Sequence, residues 1–366
     1  MLFFFNILAV VAFFSYVEIF GRISRKAQKM IYVIIFFVIY LLSFLRWEYG
    51  TDWDTYYKMF LSYDLSNEQN QELLFVYILV LARTIIEDYT FALFILATIL
   101  FFFNSKSMWR LSPLPLTTLL VFVGTYIGSQ IGFTRQQIAM SLTFYSIIYI
   151  EKREFWKYLW CIVVAFGFHY SALVFLPAWW IFDAQISTKK WLFVIIISIF
   201  LSSMMSTFLV SFGQLVGGGM LERASGYTEE GYAYEDNASI SLQQLIIRAI
   251  LNRGLIFGLC VYLLSKVTGT CSNVKNYFNL YCFGTILFFL SSPIHITLAR
   301  MTWYYDFVQV ILLPQFFLYC QNRYLKNLCF FMLVGILAIK LYSGLNVYKE
   351  ETSTYRFIPI IENALN

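Results

Sequence analysis

Charged residues are scarce in this 366-residue chain: Asp, Glu, Lys and Arg together make up 13% of it, whereas soluble domains carry roughly 25%. Histidine is scarcer still, with two in the whole sequence. The six cysteines include no CxxC pair, so the sequence indicates neither a zinc site nor a disulfide framework. The shortage of charge excludes an ordinary soluble globular domain.

Apolar and aromatic residues fill the chain instead, at 60% and 20% of the sequence, with a mean hydropathy of +0.68. Apolar segments of about 15–25 residues recur from end to end, and about 20 helical residues cross a bilayer core. The first, residues 1–20, lacks a basic start and a small-residue cleavage site, so we expect a helix rather than a signal peptide. The sequence therefore predicts one all-α, polytopic integral membrane domain over 1–366, with ten to twelve transmembrane or re-entrant helices.

The distribution of charge predicts the topology, because short loops rich in Lys and Arg stay in the cytoplasm. Six short connections hold 15 of the 26 basic residues but only three of the 21 acidic ones. These connections are 21–30, 104–113, 151–157, 183–190, 266–275 and 321–326. We therefore expect the acidic loops and both termini on the outer face. The predicted outer segments are 46–72, 213–241, 293–302 and the tail 343–366.

Two stretches do not fit simple crossings. The apolar piece Leu73–Ile86 is short and runs into charged residues, so we expect a helix lying on or dipping into the outer face. The pieces 159–168 and 172–182 are each too short to cross comfortably, which predicts two short helices, or one broken pair, hinged at 167–169. Irregular backbone at membrane depth survives only where it is buried in protein or lines a watery cavity.

Polar and charged side chains gather in the segments predicted to lie outside. Arg135 opens a helix, where the macrodipole disfavours a cation, and Arg253 lies about 18 Å into another helix. Local interpretations exist: Arg46 as a snorkelling residue, and His169 as a buried histidine. Together the set predicts an arginine-rich, water-accessible cavity with carboxylates at its mouth. Its members are Arg46, Glu48, Asp52, Asp54, Arg135, Gln136, Gln137, His169, Arg248, Asn252, Arg253, His295, Arg300, Tyr304, Tyr305, Asp306, Tyr355 and Arg356.

The first recognisable motif follows the second apolar segment. Residues 46–53 read Arg-Trp-Glu-Tyr-Gly-Thr-Asp-Trp, and Tyr56 or Tyr57 comes next. An arginine shortly before a Gly-Thr-Asp-aromatic step, with a tyrosine after it, resembles the signature of the EpsG branch of the Wzy-type polysaccharide polymerases.

Two further motifs follow in the same order as in that family. Residues 135–139 read Arg-Gln-Gln-Ile-Ala and open a helix that ends in a tyrosine and a basic turn at 149–153. Residues 168–173 read Phe-His-Tyr-Ser-Ala-Leu and lead to Pro177. The resemblance covers most of the chain, but from residue 191 onward it is only general.

This resemblance implies a glycosyltransferase of the bacterial inner membrane. Members of the family join oligosaccharide repeat units carried on undecaprenyl diphosphate at the periplasmic face. The expected partners are that lipid-linked oligosaccharide, membrane lipid and a chain-length regulator, with no nucleic acid and no cofactor. A long outer loop bearing a carboxylate, followed by a surface helix, also resembles the GT-C glycosyltransferase plan, at the level of fold alone.

The chemistry assigns roles to the gathered residues. A leaving diphosphate needs its charge stabilised, and arginine suits bidentate binding of phosphate. The predicted diphosphate- and substrate-binding residues are Arg46, Arg135, Gln136, Arg253, Arg300 and Tyr304. The acceptor hydroxyl needs a base, which we predict to be Asp52, with His169 as the alternative and Asp54 as a neighbour that shares the work. No metal is expected.

Three other classes remain as alternatives. An O-antigen ligase would use the same donor, but with a larger outer domain carrying basic and histidine residues. A lipid-linked oligosaccharide flippase would carry charges along a cavity that reaches both faces, whereas the charges here are segregated. A membrane acyltransferase would pair a histidine with a nearby acid, and neither His169 nor His295 has an acid within four residues.

Overall fold

The protein is almost entirely helical in the part described by the computed structural model. Described are residues 2–21, 23–50, 52–62, 72–132, 135–216, 242–266, 273–292, 296–347 and 355–357. In these ranges five helices are long and apolar enough to cross a membrane: Leu2–Phe20, Arg25–Phe44, Tyr89–Leu111, Ile246–Lys266 and Arg323–Asn346. The prediction of an all-α membrane protein is confirmed, while the total of ten to twelve helices and the GT-C arrangement remain predictions.

The chain divides into two compact units, residues 1–176 with 313–366 and residues 177–312. The helices of the first unit are α1 (Leu2–Phe20), α2 (Arg25–Phe44), α3 (Trp53–Ser62), α4 (Leu73–Ile85), α5 (Tyr89–Leu111), α6 (Pro115–Ile131), α7 (Arg135–Glu151), α8 (Phe155–Phe168), the 3-10 helix Tyr170–Phe175 and α16 (Arg323–Val347). The prediction of a single domain remains a prediction.

The second unit is also built from helices. They are α9 (Ala178–Ile181), α10 (Thr188–Val216), α11 (Leu242–Lys266), α12 (Val274–Ser291), α13 (Ile296–Arg300) and α14 (Trp303–Asp306), and α15 (Gln309–Tyr319) spans the boundary in sequence. Helix α10 packs on α12, where the Trp191 indole donates to Asn279 Oδ1 at 2.8 Å. Most of the acidic loop predicted at 213–241 lies outside the described residues.

Helices α6 and α7 form the core of the first unit. Helix α6 packs against α1, α2 and α16, and α7 packs against α5 and α8. Most residues of both helices are buried, because neighbouring helices cover them on several sides. The end of α6 and the start of α7 are therefore fixed in position, which matters for Arg135.

The start of α6 is capped by a carboxylate from another helix. Pro115 occupies the first turn, where its missing N–H costs nothing. Glu18 of α1 accepts hydrogen bonds from the backbone N–H groups of Leu116 at 2.9 Å and Thr117 at 2.7 Å, and from the Thr117 hydroxyl at 2.7 Å. A buried carboxylate is tolerated when its oxygens are satisfied in this way. Glu18 thereby ties α1 to α6.

A helix and a helix break are present at the two irregular stretches, while the position of the first on the outer face remains a prediction. Helix α4 covers Leu73–Ile85, one residue shorter than expected, and α8 ends at Phe168. His169 then adopts an extended conformation, with φ −160° and ψ 122°, before the 3-10 helix begins. The predicted hinge at 167–169 is confirmed as a break between helices, and it frees His169 from helical geometry.

A two-stranded antiparallel sheet joins distant parts of the chain. Strand β1 (Arg46–Trp47) pairs with β2 (Arg356–Phe357), which belongs to the tail that the sequence placed outside. The Tyr355 hydroxyl donates to the backbone oxygen of Leu42 at 2.5 Å, and Arg356 pairs with Glu48 at 2.7 Å. The sequence gives no sign of this pairing.

Candidate functional site

Side chains from four separate segments of the first unit meet in one cluster. Asp52 directly precedes α3 and Tyr56 lies in its first turn, Glu72 precedes α4, Arg135 opens α7, and His169 directly follows α8. Three of these, Asp52, Arg135 and His169, are residues that the sequence predicted to act together. We call these five residues the polar cluster.

Glu72 lies between the two basic residues of the cluster. Arg135 Nη1 donates to Glu72 Oε2, and His169 Nδ1 lies 2.7 Å from Glu72 Oε1. The Glu72 side chain is 7% exposed, whereas those of Arg135 and His169 are 24% and 31% exposed. The carboxylate therefore sits behind two groups that solvent or a ligand can reach.

Burial by itself raises the pKa of the Glu72 carboxyl. The hydrogen bond with His169 and the charge of Arg135 act in the opposite direction and prevail, so this pKa lies below its ordinary value. Glu72 is consequently ionised at neutral pH, and it neutralises Arg135 in this structure.

Aromatic rings hold the arginine from another side. The guanidinium carbon of Arg135 is 5.7 Å from the ring centroids of both Tyr56 and Phe75, within the range of cation–π attraction. These contacts and the salt bridge stabilise a cation at a helix start, which the helix dipole alone would disfavour.

Tyr56 connects Asp52 to the start of α7. Its hydroxyl donates to Asp52 Oδ2 at 3.2 Å and accepts the backbone N–H of Arg135 at 3.3 Å. Burial and then the charge of Asp52 raise the pKa of Tyr56 to about 12. The phenol therefore stays protonated and continues to donate to the carboxylate.

Two glycines bring the motif of residues 46–53 against the end of α6. Gly50 has φ +108°, a conformation that favours glycine. A Cβ on Gly50 would lie 2.9 Å from the backbone oxygen and 3.0 Å from the Cα of Gly132. Because Gly132 stands three residues before Arg135, this contact places Asp52 beside the start of α7.

The substitution Gly50→Ala should disrupt this placement. A side chain at a positive φ costs of order 1–3 kcal/mol, and the new Cβ would also push against backbone. We expect a lower melting temperature and a loss of activity greater than the loss of folded protein. Melting of the purified protein, compared with its activity at matched amounts, measures both effects.

Gly344→Ala is the matched control for this variant. Gly344 lies in α16, where a Cβ would meet nothing within 4 Å, so stability should hold or rise slightly. Normal melting and activity in Gly50→Ala would show that the glycine contact does not position the motif.

Arg46, predicted to bind diphosphate, lies in the protein interior with 0% of its surface exposed. Its guanidinium donates to the backbone oxygens of Ile131 and, at 3.4 Å, Ser43. Burial lowers the pKa of Arg46 to about 10, so it remains charged at neutral pH. In this structure Arg46 therefore joins α2 to the end of α6 and presents no surface to a ligand.

The other predicted residues of the first unit lie at the edge of the polar cluster. Asp54 is exposed in the first turn of α3. Gln136 follows Arg135 in α7 and is buried. Among the described residues no group of three His, Cys, Asp or Glu side chains is placed to hold a metal ion.

Three of the predicted binding residues, Arg253, Arg300 and Tyr304, belong to the second unit, where an arginine–carboxylate pair is found. Arg253 donates to Asp306 through Nη1 at 2.7 Å and Nη2 at 2.6 Å, and it lies over the Phe288 ring at 4.2 Å. The guanidinium carbon of Arg300, at the end of α13, lies 5.9 Å from the centroid of the Trp303 ring. Tyr304 is buried at 1% exposure.

Glu72 is the member of the cluster that sequence reasoning missed. An acid directly before an apolar run suggests a helix cap, yet Glu72 makes no side-chain cap hydrogen bond. His169 has no acid near it in the sequence, but in the folded structure it contacts Glu72, which lies 97 residues earlier. Only the fold reveals this pair.

The comparison with known families covers the whole cluster. The model of the EpsG family matches residues 29–359, nearly the entire chain. No curated protein and no solved structure matches the sequence.

Proposed function

This chain belongs to the EpsG family of Wzy-like polymerases, and from that premise we propose that it polymerises polysaccharide by glycosyl transfer. The substrate is an oligosaccharide repeat unit carried on undecaprenyl diphosphate, and the product is an O-antigen, capsule or exopolysaccharide chain. The reaction takes place at the periplasmic face of the bacterial inner membrane.

The observation that carries the proposal is the polar cluster itself. Transfer from a lipid diphosphate breaks the bond between the sugar C1 and a phosphate oxygen, and the diphosphate leaves with the electron pair. Arg135 is a partly exposed cation with a planar fork of donors that suits this leaving group. His169 and Asp52 are the candidate bases for the acceptor hydroxyl beside it.

We assign the base to His169, which reverses the order suggested by the sequence. His169 donates its Nδ1 proton to Glu72, which leaves Nε2 free to accept a proton from the acceptor hydroxyl. A carboxylate behind a histidine fixes its tautomer and stabilises the imidazolium as it forms. Asp52 instead accepts a hydrogen bond from Tyr56. We assign it the role of fixing Tyr56 in the site and contacting sugar hydroxyls.

Acyl transfer is the second candidate, because the His169–Glu72 pair is also what an acyltransferase needs. The family and the arginine beside the pair favour glycosyl transfer. The two reactions leave different products, since one lengthens the glycan and the other adds an ester to it.

The decisive experiment is deletion of the gene in its native strain. A polymerase mutant should carry single repeat units on its surface or on the lipid carrier, without the ladder of longer chains. Restoration of the ladder by the intact gene is the control. Complete absence of surface glycan would indicate a ligase or flippase, and a full ladder lacking only acyl groups would indicate an acyltransferase.

A further inference from the structure

Glu72 is the partner with which a bound diphosphate would compete for Arg135. In this structure it is the counter-ion of Arg135, and the same carboxylate contacts His169 through its other oxygen. The proposed diphosphate ligand and the proposed base thus share one acidic neighbour. Asp52 and Tyr56 face the same arginine from α3.

We propose that Glu72 is a positioning residue that exchanges one partner for the substrate. In the structure Glu72 pairs with both Arg135 and His169. When the lipid-linked donor binds, its diphosphate takes Arg135, and Glu72 keeps only His169. This inference rests on the proposed function, and it assigns Glu72 the coupling between donor binding and the base.

Charge and exposure support the direction of the exchange. A diphosphate carries more negative charge than one carboxylate and offers several oxygens to the arginine fork. It can approach Arg135 from the exposed side, whereas Glu72 lies behind at 7% exposure. The position of Glu72 is fixed, because it directly precedes α4 and contacts His169.

The consequence for the reaction is a base that becomes effective once the donor is present. With Arg135 occupied by diphosphate, the whole charge of Glu72 acts on His169. The acceptor hydroxyl passes its proton to His169 Nε2 as the acceptor oxygen bonds to C1 and the diphosphate departs. The Nδ1 proton stays on the ring and is donated to Glu72 throughout, so Glu72 touches no reacting atom.

The substitution Glu72→Gln should separate binding from turnover. Removing the competing charge should tighten the binding of undecaprenyl diphosphate about tenfold. The same change leaves His169 without its anionic partner, so kcat should fall about ten- to hundredfold. A residue that only held the fold together would weaken both quantities, so opposite directions are diagnostic.

Binding is measured on the purified full-length protein in detergent with three probes. They are undecaprenyl diphosphate, undecaprenyl monophosphate and inorganic pyrophosphate, which separate the lipid from the free diphosphate. Turnover is measured with the lipid-linked repeat units extracted from the deletion strain. Binding of Glu72→Gln that is unchanged or weaker, or a kcat that does not fall, would overturn the exchange.

Two variants control for loss of folding and of charge. Glu72→Asp keeps the carboxylate on a shorter side chain and should recover part of the turnover. Glu87→Gln removes an exposed acid beyond the other end of α4 and should change neither binding nor turnover. Tighter binding in both glutamine variants would be a general charge effect and would also overturn the proposal.

A double variant tests whether Glu72 acts through His169. In a His169→Ala background, Glu72→Gln should lower turnover no further, because the residue on which it acts is absent. If the two substitutions lowered turnover by independent factors that multiply, Glu72 would not act through His169.

If the wild type neither binds undecaprenyl diphosphate nor extends the extracted units, the proposed function fails. If the wild type does both and only the Glu72 predictions fail, the error is confined to this inference.

Discussion

Replacing Arg135 with lysine should reduce polymerisation about 100-fold or more, although the charge is kept. Removal of a single stabilising donor typically costs about 10²–10³ in rate. A lysine is a point charge without the planar fork, and it cannot reproduce the stacked placement over Tyr56 and Phe75. The experiment compares glycan ladders of complemented deletion strains at matched protein level.

Arg323→Lys provides the control for this variant. Arg323 is an exposed arginine that likewise opens a helix, α16, in the same unit. The Arg323→Lys substitution should leave the glycan ladder unchanged, which would show that the loss of polymerisation is specific to Arg135. If the Arg135→Lys variant made glycan chains of full length at a normal protein level, Arg135 would not be a binding residue of the site.

Replacing His169 with glutamine should lower polymerisation by about 10²–10⁴, the usual contribution of a general base. Glutamine keeps polar contacts at this position but cannot take up the proton. Asp52→Asn should have a smaller effect, of about tenfold, because an amide oxygen can still accept the Tyr56 hydroxyl. Asp54→Asn should do less again, since Asp54 is exposed at the edge of the cluster.

All three variants should be compared at matched expression for polymer length and for binding of lipid-linked substrate. A variant that lacks only the base should bind the substrate normally and fail to extend it. If Asp52→Asn abolishes polymerisation while His169→Gln preserves it, the base is Asp52, as the sequence suggested.

Local signals in the sequence were enough to predict several parts of the site. Helix α4, the start of α7 at Arg135 and the break at His169 each follow from a short run of apolar residues or its interruption. Glycine favours bends on its own account, and the structure places Gly50 of the first motif at positive φ.

The pairings between these segments could not be predicted, because they depend on tertiary packing. Glu72 meets Arg135 across 63 residues and His169 across 97, and no periodicity joins such positions. The burial of Arg46 likewise depends on tertiary packing. Its place after an apolar run suggested a ligand contact, yet the packing of α6 buries it against backbone oxygens.

The β1–β2 pair sets an order of events during biosynthesis. The strand that contains Arg46 leaves the ribosome early, but its partner lies more than 300 residues later, with Tyr355 bonded to Leu42 across 313 positions. Contacts of such long sequence separation form late. The motif of residues 46–53 therefore acquires its final support only after translation has reached the tail. A chain released early would hold all five residues of the polar cluster but lack the strand that pairs with Arg46 and Trp47, so premature termination should yield inactive protein.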